Sequence, residues 1–138
     1  MENKRIKGRQ KTPKQLKKKA DELFSKYIRL KYSDFEGVAS CYTCGDRRPW
    51  KELQNGHFVS RVHLSTRWDE ENCRIQCYAC NYLRRGHYDE FSRLLIKEKG
   101  VDILEELNRR KNTLKTMKRA DYETLIEDLT FKLKSYEA

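Results

Sequence analysis

The sequence predicts a small α+β chain, mostly helical, whose middle is stapled by a metal ion rather than by a large apolar core. Three observations carry this prediction. Two Cys-x-x-Cys pairs, Cys41/Cys44 and Cys77/Cys80, bracket the centre of the 138-residue chain. Apolar residues recur at helical spacing on both sides of that centre. Only 37% of residues are hydrophobic while 38% are charged, too little apolar material for a thick core.

Residues 1–12 are basic and lack apolar periodicity, so they read as a disordered arm. Thr12 and Pro13 then form an N-cap followed by proline at the first helical position. Leu16, Ala20, Leu23, Phe24, Tyr27, Ile28 and Leu30 follow at helical spacing, which predicts an amphipathic helix over 13–32 within a helix-and-linker segment 13–40. Its other face carries Lys14, Lys17, Lys18 and Lys26, either as a solvated face or as a grip on phosphates. Gly37 marks a turn before the clipped segment, 41–99.

Inside that segment the pattern predicts a β-hairpin with an extended loop. Leu53–Ser60 reads as a strand ending in His-Phe-Val-Ser, residues 60–71 as a polar loop, and Asn72–Gln76 as a short return strand. Helical character returns after Cys80, with an apolar stripe of Tyr88, Phe91, Leu94 and Leu95 and with Gly100 placed to end it. The remainder, 100–138, reads as a helical extension. Val101, Leu104 and Leu107 suggest a short helix, and 118–136 a longer one burying Tyr122, Leu125, Ile126, Leu129, Leu133 and Tyr136. That last stripe serves core packing or a dimer seam.

Lys and Arg number 31 against 21 Asp and Glu, a formal charge of +10. A surplus of this size fits a polyanionic partner, of which nucleic acid is the commonest. No apolar run is long enough to span a membrane, and nothing after Met1 reads as a secretory signal. A reducing cytoplasm is therefore expected, where the five cysteines point to metal binding rather than disulfides.

Each Cys-x-x-Cys pair puts two thiolates within reach of one ion, and two pairs complete a closed tetrahedral shell. Such a shell has no open position for substrate, so the ion is structural and contributes folding energy. Between Cys44 and Cys77 lie 32 residues, more than the roughly 15–20 of a simple zinc ribbon. The excess is an insertion anchored at both ends. Cys73 stands outside both pairs and is expected to be a buried bystander.

The insertion holds His57 and His63, followed by Asn72; Asn81 comes directly after Cys80, and His87 lies just beyond. Hydrolysis of a phosphodiester needs a base active near neutral pH, and imidazole suits that role. It also needs a cation to stabilise charge on the phosphate and the leaving oxygen. Amide, imidazole and carboxylate groups suit Mg²⁺ or Mn²⁺.

The ordered set is Cys-Tyr-Thr-Cys-Gly (41–45), Gly-His-Phe-Val-Ser-Arg (56–61), Thr-Arg-Trp-Asp-Glu-Glu-Asn (66–72) and Gln-Cys-Tyr-Ala-Cys-Asn (76–81). Together with Leu-Phe-Ser-Lys-Tyr-Ile-Arg-Leu (23–30), it resembles the HNH or ββα-metal nucleases, and more narrowly the phage NinG/Rap recombination endonucleases, over residues 16–138. The resemblance implies a treble-clef-like ββα core flanked by a basic N-terminal helix and C-terminal helices. It implies His57 as general base, Asn72 as the residue that holds the loop and orients it, and Asn81 as a ligand of the catalytic Mg²⁺ or Mn²⁺. The imidazole and that amide oxygen should converge on one phosphate. Many such enzymes carry an acidic ligand before the base, where this chain has Gly56; His87, then His63, Asp69 and Glu52, are candidates for the missing ligand. Arg61, Arg84 and Arg85 join the four lysines as expected DNA contacts. Branched DNA such as a Holliday junction is the implied substrate, a homodimer the implied assembly, and the host cytoplasm the implied place of action. Two rival readings are a non-catalytic zinc module that binds nucleic acid and a nuclease of low selectivity.

Overall fold

A computed structural model of the chain describes residues 10–137, so most of the arm expected at 1–12 lies outside the described residues. The first helix, α1 (Pro13–Lys31), starts as the sequence predicts. The Gln15 amide donates to Thr12 Oγ1 at 3.2 Å and the Thr12 amide to Gln15 Oε1 at 2.8 Å, a reciprocal box that satisfies two otherwise orphaned donors. Leu16, Ala20, Phe24 and Ile28 repeat every four residues and are all buried.

The chain divides into two compact units, with the boundary inside α1. The smaller comprises residues 10–23 and 117–137 of the described chain. It contains α5 (Arg119–Leu133), entered by a bond from the Lys118 amide to Asp121 Oδ2. Leu16, Ala20, Tyr122, Leu129 and Leu133 are its buried apolar residues. Leu125 and Ile126 are half-buried, and Tyr136, expected inside, is exposed because the α-helix ends at Leu133.

The larger unit, residues 24–116, carries every element around the cysteines. Strands β1 (Val38–Ser40) and β2 (Arg47–Pro49) form an antiparallel hairpin that turns through the first cysteine pair. A second antiparallel pair joins β3 (Gln54–His57) to β4 (Cys73–Gln76), with Gln54 opposite Gln76 and His57 opposite Cys73. Between them lie a one-turn helix, α2 (Leu64–Arg67), and a 3-10 turn, Glu70–Asn72. A π-helical turn, Ala79–Leu83, leads from the second cysteine pair towards α3 (Tyr88–Lys99), and α4 (Ile103–Lys111) follows. The architecture is a small mixed α+β one with helices in the majority. No helix among the described residues is long and apolar enough to cross a membrane.

Within this larger unit three expectations about the elements need correction. The first strand of the central hairpin ends at His57, not Ser60, because the Asn72 side chain takes over the backbone of Val59. Val101 is exposed in the turn ahead of α4 rather than part of its apolar stripe. Tyr88 is half-exposed, and its ring stacks on Phe58 at 4.7 Å instead of entering the core formed by Phe91, Leu95, Ile103 and Leu107.

One ionic group ties β4 to the far end of α3. Arg74, only 1% exposed, forms two parallel bonds to Glu98, Nε–Oε1 at 3.1 Å and Nη2–Oε2 at 3.0 Å. Its Nη1 also donates to the carbonyls of Glu70 and Cys73 at 2.9 and 2.7 Å, and its guanidinium lies over the rings of Tyr32 and Tyr42. A buried cation without such partners would be strongly destabilising.

Candidate metal centre and the hairpin beside it

Both cysteine pairs sit in tight turns. Gly45 adopts φ +81°, open to glycine without strain, and its amide closes on the Cys41 carbonyl at 2.9 Å. In the second turn the Cys80 amide donates to Cys77 Sγ at 3.4 Å and the Asn81 amide to the Cys77 carbonyl at 2.9 Å. The Tyr42 amide bonds the Ile75 carbonyl at 2.8 Å, so the first turn is fastened to β4. The sulfurs of Cys41, Cys44, Cys77 and Cys80 all lie within 4.8 Å of one another. Those of Cys44 and Cys77 are 3.7 Å apart, against an edge of about 3.8 Å for a tetrahedron with Zn–S bonds of about 2.3 Å. The four thiols can hold a metal ion, and the set matches structural zinc.

The surroundings prepare these sulfurs for that charge. Burial opposes ionisation of Cys41, but the Thr43 hydroxyl and three backbone amides outweigh it and bring the thiol down to about 6. Cys44 and Cys80 move the other way, through burial first and then neighbouring thiols. One thiolate in the cluster therefore forms easily and makes the next harder, a situation a bound cation relieves. His87 Nδ1 lies 3.4 Å and Arg84 Nη1 3.8 Å from Cys80 Sγ, donors suited to the excess negative charge of a four-thiolate shell. Cys73 is fully buried outside the cluster, and burial pushes its thiol up.

His57 closes β3. Its Nε2 lies 2.8 Å from the Arg67 carbonyl oxygen. A carbonyl only accepts, so in the neutral ring Nε2 carries the proton and Nδ1 the basic lone pair. Arg67 itself is buried, and its Nη1 donates to the Arg61 carbonyl at 2.7 Å. Asn72 is fully buried and spans the loop: Oδ1 accepts from the Val59 amide at 2.7 Å, and Nδ2 donates to the carbonyls of Val59 and Thr66 at 3.0 and 3.1 Å. The carbonyl that holds His57 belongs to the residue after Thr66, so the amide of Asn72 fixes the frame of the imidazole. From outside, Arg110 braces the same loop through Asp69 and Glu71 at 2.9 and 2.8 Å.

Asn81 is half-buried, and its Nδ2 donates to Gln54 Oε1 at 2.8 Å. Alternation along β3 puts Gln54 and Gly56 on one face and Asn55 and His57 on the other. Asn81 is thus bonded to a residue that alternates to the face opposite His57. The outer edge of β3, the edge away from β4 in this two-stranded sheet, borders both faces.

Gly56 explains the missing acid. A Cβ there would come within 1.9 Å of Gln76 Oε1, because the Gln76 side chain lies across that position. Gln76 is fully buried and held by bonds from Nε2 to Thr43 Oγ1 at 3.0 Å and the Gly86 carbonyl at 2.9 Å, while Oε1 takes no hydrogen bond among the described residues.

The other candidates are scattered. His63 precedes α2 and lines a cavity of about 270 Å³ with Phe58, Val59, Tyr88, Asn108 and Lys111. Asp69 caps the 3-10 turn and pairs with Arg110, and Glu52 lies exposed beside Arg48. Lys14, Lys18, Arg61, Arg84 and Arg85 are exposed, and Lys17 and Lys26 half-buried. Sequence reasoning missed Gln76, Arg67 and Arg74. Only Gln76 left a signal, as the polar end of a strand beginning directly after a buried asparagine.

The profile of the family described as NinG: Bacteriophage Lambda NinG protein matches residues 1–138. No curated protein and no solved structure matches the chain.

Proposed function

The chain belongs to the bacteriophage lambda NinG family, and from that premise we propose that it is a metal-dependent DNA endonuclease acting on branched recombination intermediates. The observation that carries the proposal is the bond between His57 Nε2 and the Arg67 carbonyl. It leaves Nδ1 as the basic nitrogen of a side chain held at the end of a strand, the arrangement a general base needs.

In the proposed reaction Nδ1 of His57 accepts a proton from water while the water oxygen attacks phosphorus. The bond from phosphorus to the 3′ oxygen breaks, and the departing oxygen takes a proton from solvent water, leaving a 5′-phosphate and a 3′-hydroxyl. Asn72 keeps the loop, and with it the imidazole, in register. Asn81 would hold the divalent cation through Oδ1, which accepts no hydrogen bond among the described residues; His87, whose Nδ1 faces Cys80, would have only Nε2 to add. When bound, the cation supplies positive charge to the phosphate and to the departing oxygen. One amide oxygen is a sparse donor set, so water and DNA phosphate oxygens would complete the shell. The substrate lies along the outer edge of β3, within reach of both faces. Exposed Lys14, Lys18, Arg61, Arg84 and Arg85 supply phosphate contacts.

The packing of Gln76 over Gly56 favours a second reading, a zinc module that binds DNA without cutting it, since it removes the usual place for an acidic ligand. Incubating the protein with a four-way junction, linear duplex and RNA, with and without Mg²⁺ or Mn²⁺, decides between them. Cation-dependent nicking of the junction is expected. Binding without nicking under every condition would leave the module.

A further inference from the structure

Three of the exposed large apolar side chains of the larger unit adjoin the second cysteine pair: Tyr78 is 51% exposed, Tyr82 66% and Leu83 64%. Soluble proteins rarely present such groups together unless something binds them. Here the arrangement is ordered. The rings of Tyr78 and Tyr82 stack on each other with centroids 5.2 Å apart and planes at 20°. The π-helical turn Ala79–Leu83 spaces them so that they flank Cys80 and Asn81. Cys77 directly precedes Tyr78 and Cys80 lies between the two tyrosines, so the backbone that carries the stack is tied to the metal centre.

The charge around the rings is one-sided. From Cys77 to Tyr88 the chain carries Arg84, Arg85 and His87 and no Asp or Glu. Arg85 makes no ion pair among the described residues, and it holds φ +52°, a left-handed conformation uncommon for a side chain of its size. Flat aromatic faces beside the cation of Arg85 match a nucleotide, whose base stacks and whose phosphate is anionic.

We infer that Tyr78 and Tyr82 form a stacking platform for an unpaired base at a DNA branch point, with Arg85 on the adjoining phosphate. This rests on the DNA-cleaving reading above and adds what would make it selective. In duplex DNA both faces of each base are already covered by neighbours. At a branch the stack is interrupted, so an outer tyrosine face gains contact there that it cannot gain on continuous duplex. Selectivity thus comes from stacking, while the lysines and arginines give affinity common to both forms.

The test uses full-length, zinc-loaded protein in the His57→Ala background, so that DNA stays intact. Affinities for a four-way junction and for linear duplex are measured by fluorescence anisotropy at one salt concentration. A parallel junction carries 2-aminopurine at the branch point. Tyr82→Leu keeps bulk but not the ring, and Tyr82→Phe keeps the ring. Zinc content of each variant reports whether the turn is intact. Tyr82→Leu should weaken junction binding by roughly 5- to 150-fold, the range expected for one stacked base. Duplex binding should stay within about twofold, the 2-aminopurine signal should lose its protein-induced change, and Tyr82→Phe should behave as the parent. Unchanged junction binding in a zinc-replete Tyr82→Leu protein, or equal loss on both DNAs, overturns the platform. If the parent binds junction and duplex alike, branch selectivity falls with the platform while nuclease chemistry stands; if it binds neither, the DNA reading itself is refuted.

Discussion

The side chain of Gln76 passes so close over Gly56 that a methyl group on residue 56 would lie 1.9 Å from its Oε1. Gln76 cannot swing away cheaply, because both of its amide hydrogens are engaged by Thr43 and Gly86. The requirement for glycine in β3 is thus one of space and not of backbone conformation.

Gly56→Ala should therefore destabilise the larger unit by about 1–3 kcal/mol, the usual cost of overfilling a packed site. Combined with Gln76→Ala, the loss should be clearly less than the sum of the two single losses. Urea titrations of the four proteins measure this coupling. Additive losses would mean that the two side chains do not compete for the same space.

His57→Ala should lower the rate of junction nicking about a hundredfold or more while leaving DNA affinity unchanged, the usual worth of a general base. Single-turnover cleavage separates chemistry from binding. A variant nicking at the parental rate would remove His57 from the reaction.

Asn72→Ala deprives the Val59 amide and the Val59 and Thr66 carbonyls of their partner. At about 0.5–1.5 kcal/mol for each of the three bonds, the loss should come to roughly 1.5–4.5 kcal/mol. Hydrogen exchange should show the loop from 58 to 71 opening before the cysteine-bound turns. Uniform loosening of both would place Asn72 outside the loop's support.

Glu98 accepts from Arg74 and from the Tyr42 hydroxyl. Burial alone would raise its carboxyl, but these bonds outweigh burial and hold it below its ordinary value of 4.5. A carboxylate lowered on folding contributes stability above its unfolded pKa and loses it as pH falls through the folded one. Thermal stability should therefore decline as the pH drops below about 4.5, and Glu98→Gln should be destabilised at pH 7 but flatter over that acid range. Breaking a fully buried pair costs about 3–5 kcal/mol; because the Glu98 side chain is 38% exposed, the loss at pH 7 should be smaller. Parallel pH profiles for both proteins would count against the pair as the source.

Replacing Cys77 with Ala should abolish stoichiometric zinc and unfold the larger unit, whereas Cys73→Ala should retain one ion per chain. Metal content after gel filtration, with and without a chelator, distinguishes the two. Equal zinc in both variants would contradict the four-sulfur site.

Some of this was legible in the sequence for clear reasons. Helix α1 announces itself because Thr12, Pro13 and the fourfold spacing from Leu16 to Ile28 are local signals, and the cysteine pairs because a metal turn needs two ligands with two residues between them. The return strand after Asn72 could be read, but not the true end of β3. Phe58 and Val59 look like strand residues until a side chain 13 positions away claims the Val59 backbone. The β1–β2 hairpin escaped because Arg47, Arg48 and Pro49 are all exposed and show no alternation. Arg74 was unreadable for the opposite reason: nothing local says that a cation in a strand will be buried, and the carboxylate that makes it tolerable lies 24 residues on.

Of the four sulfur ligands, Cys44 alone is exposed, while Cys41, Cys77 and Cys80 are shielded. Solvent reaches the cluster from that corner, so an incoming chelator or oxidant meets Cys44 first. Loading and stripping of the ion would share that doorway, and the lifetime of the folded domain under oxidative stress would be governed by a single surface thiol.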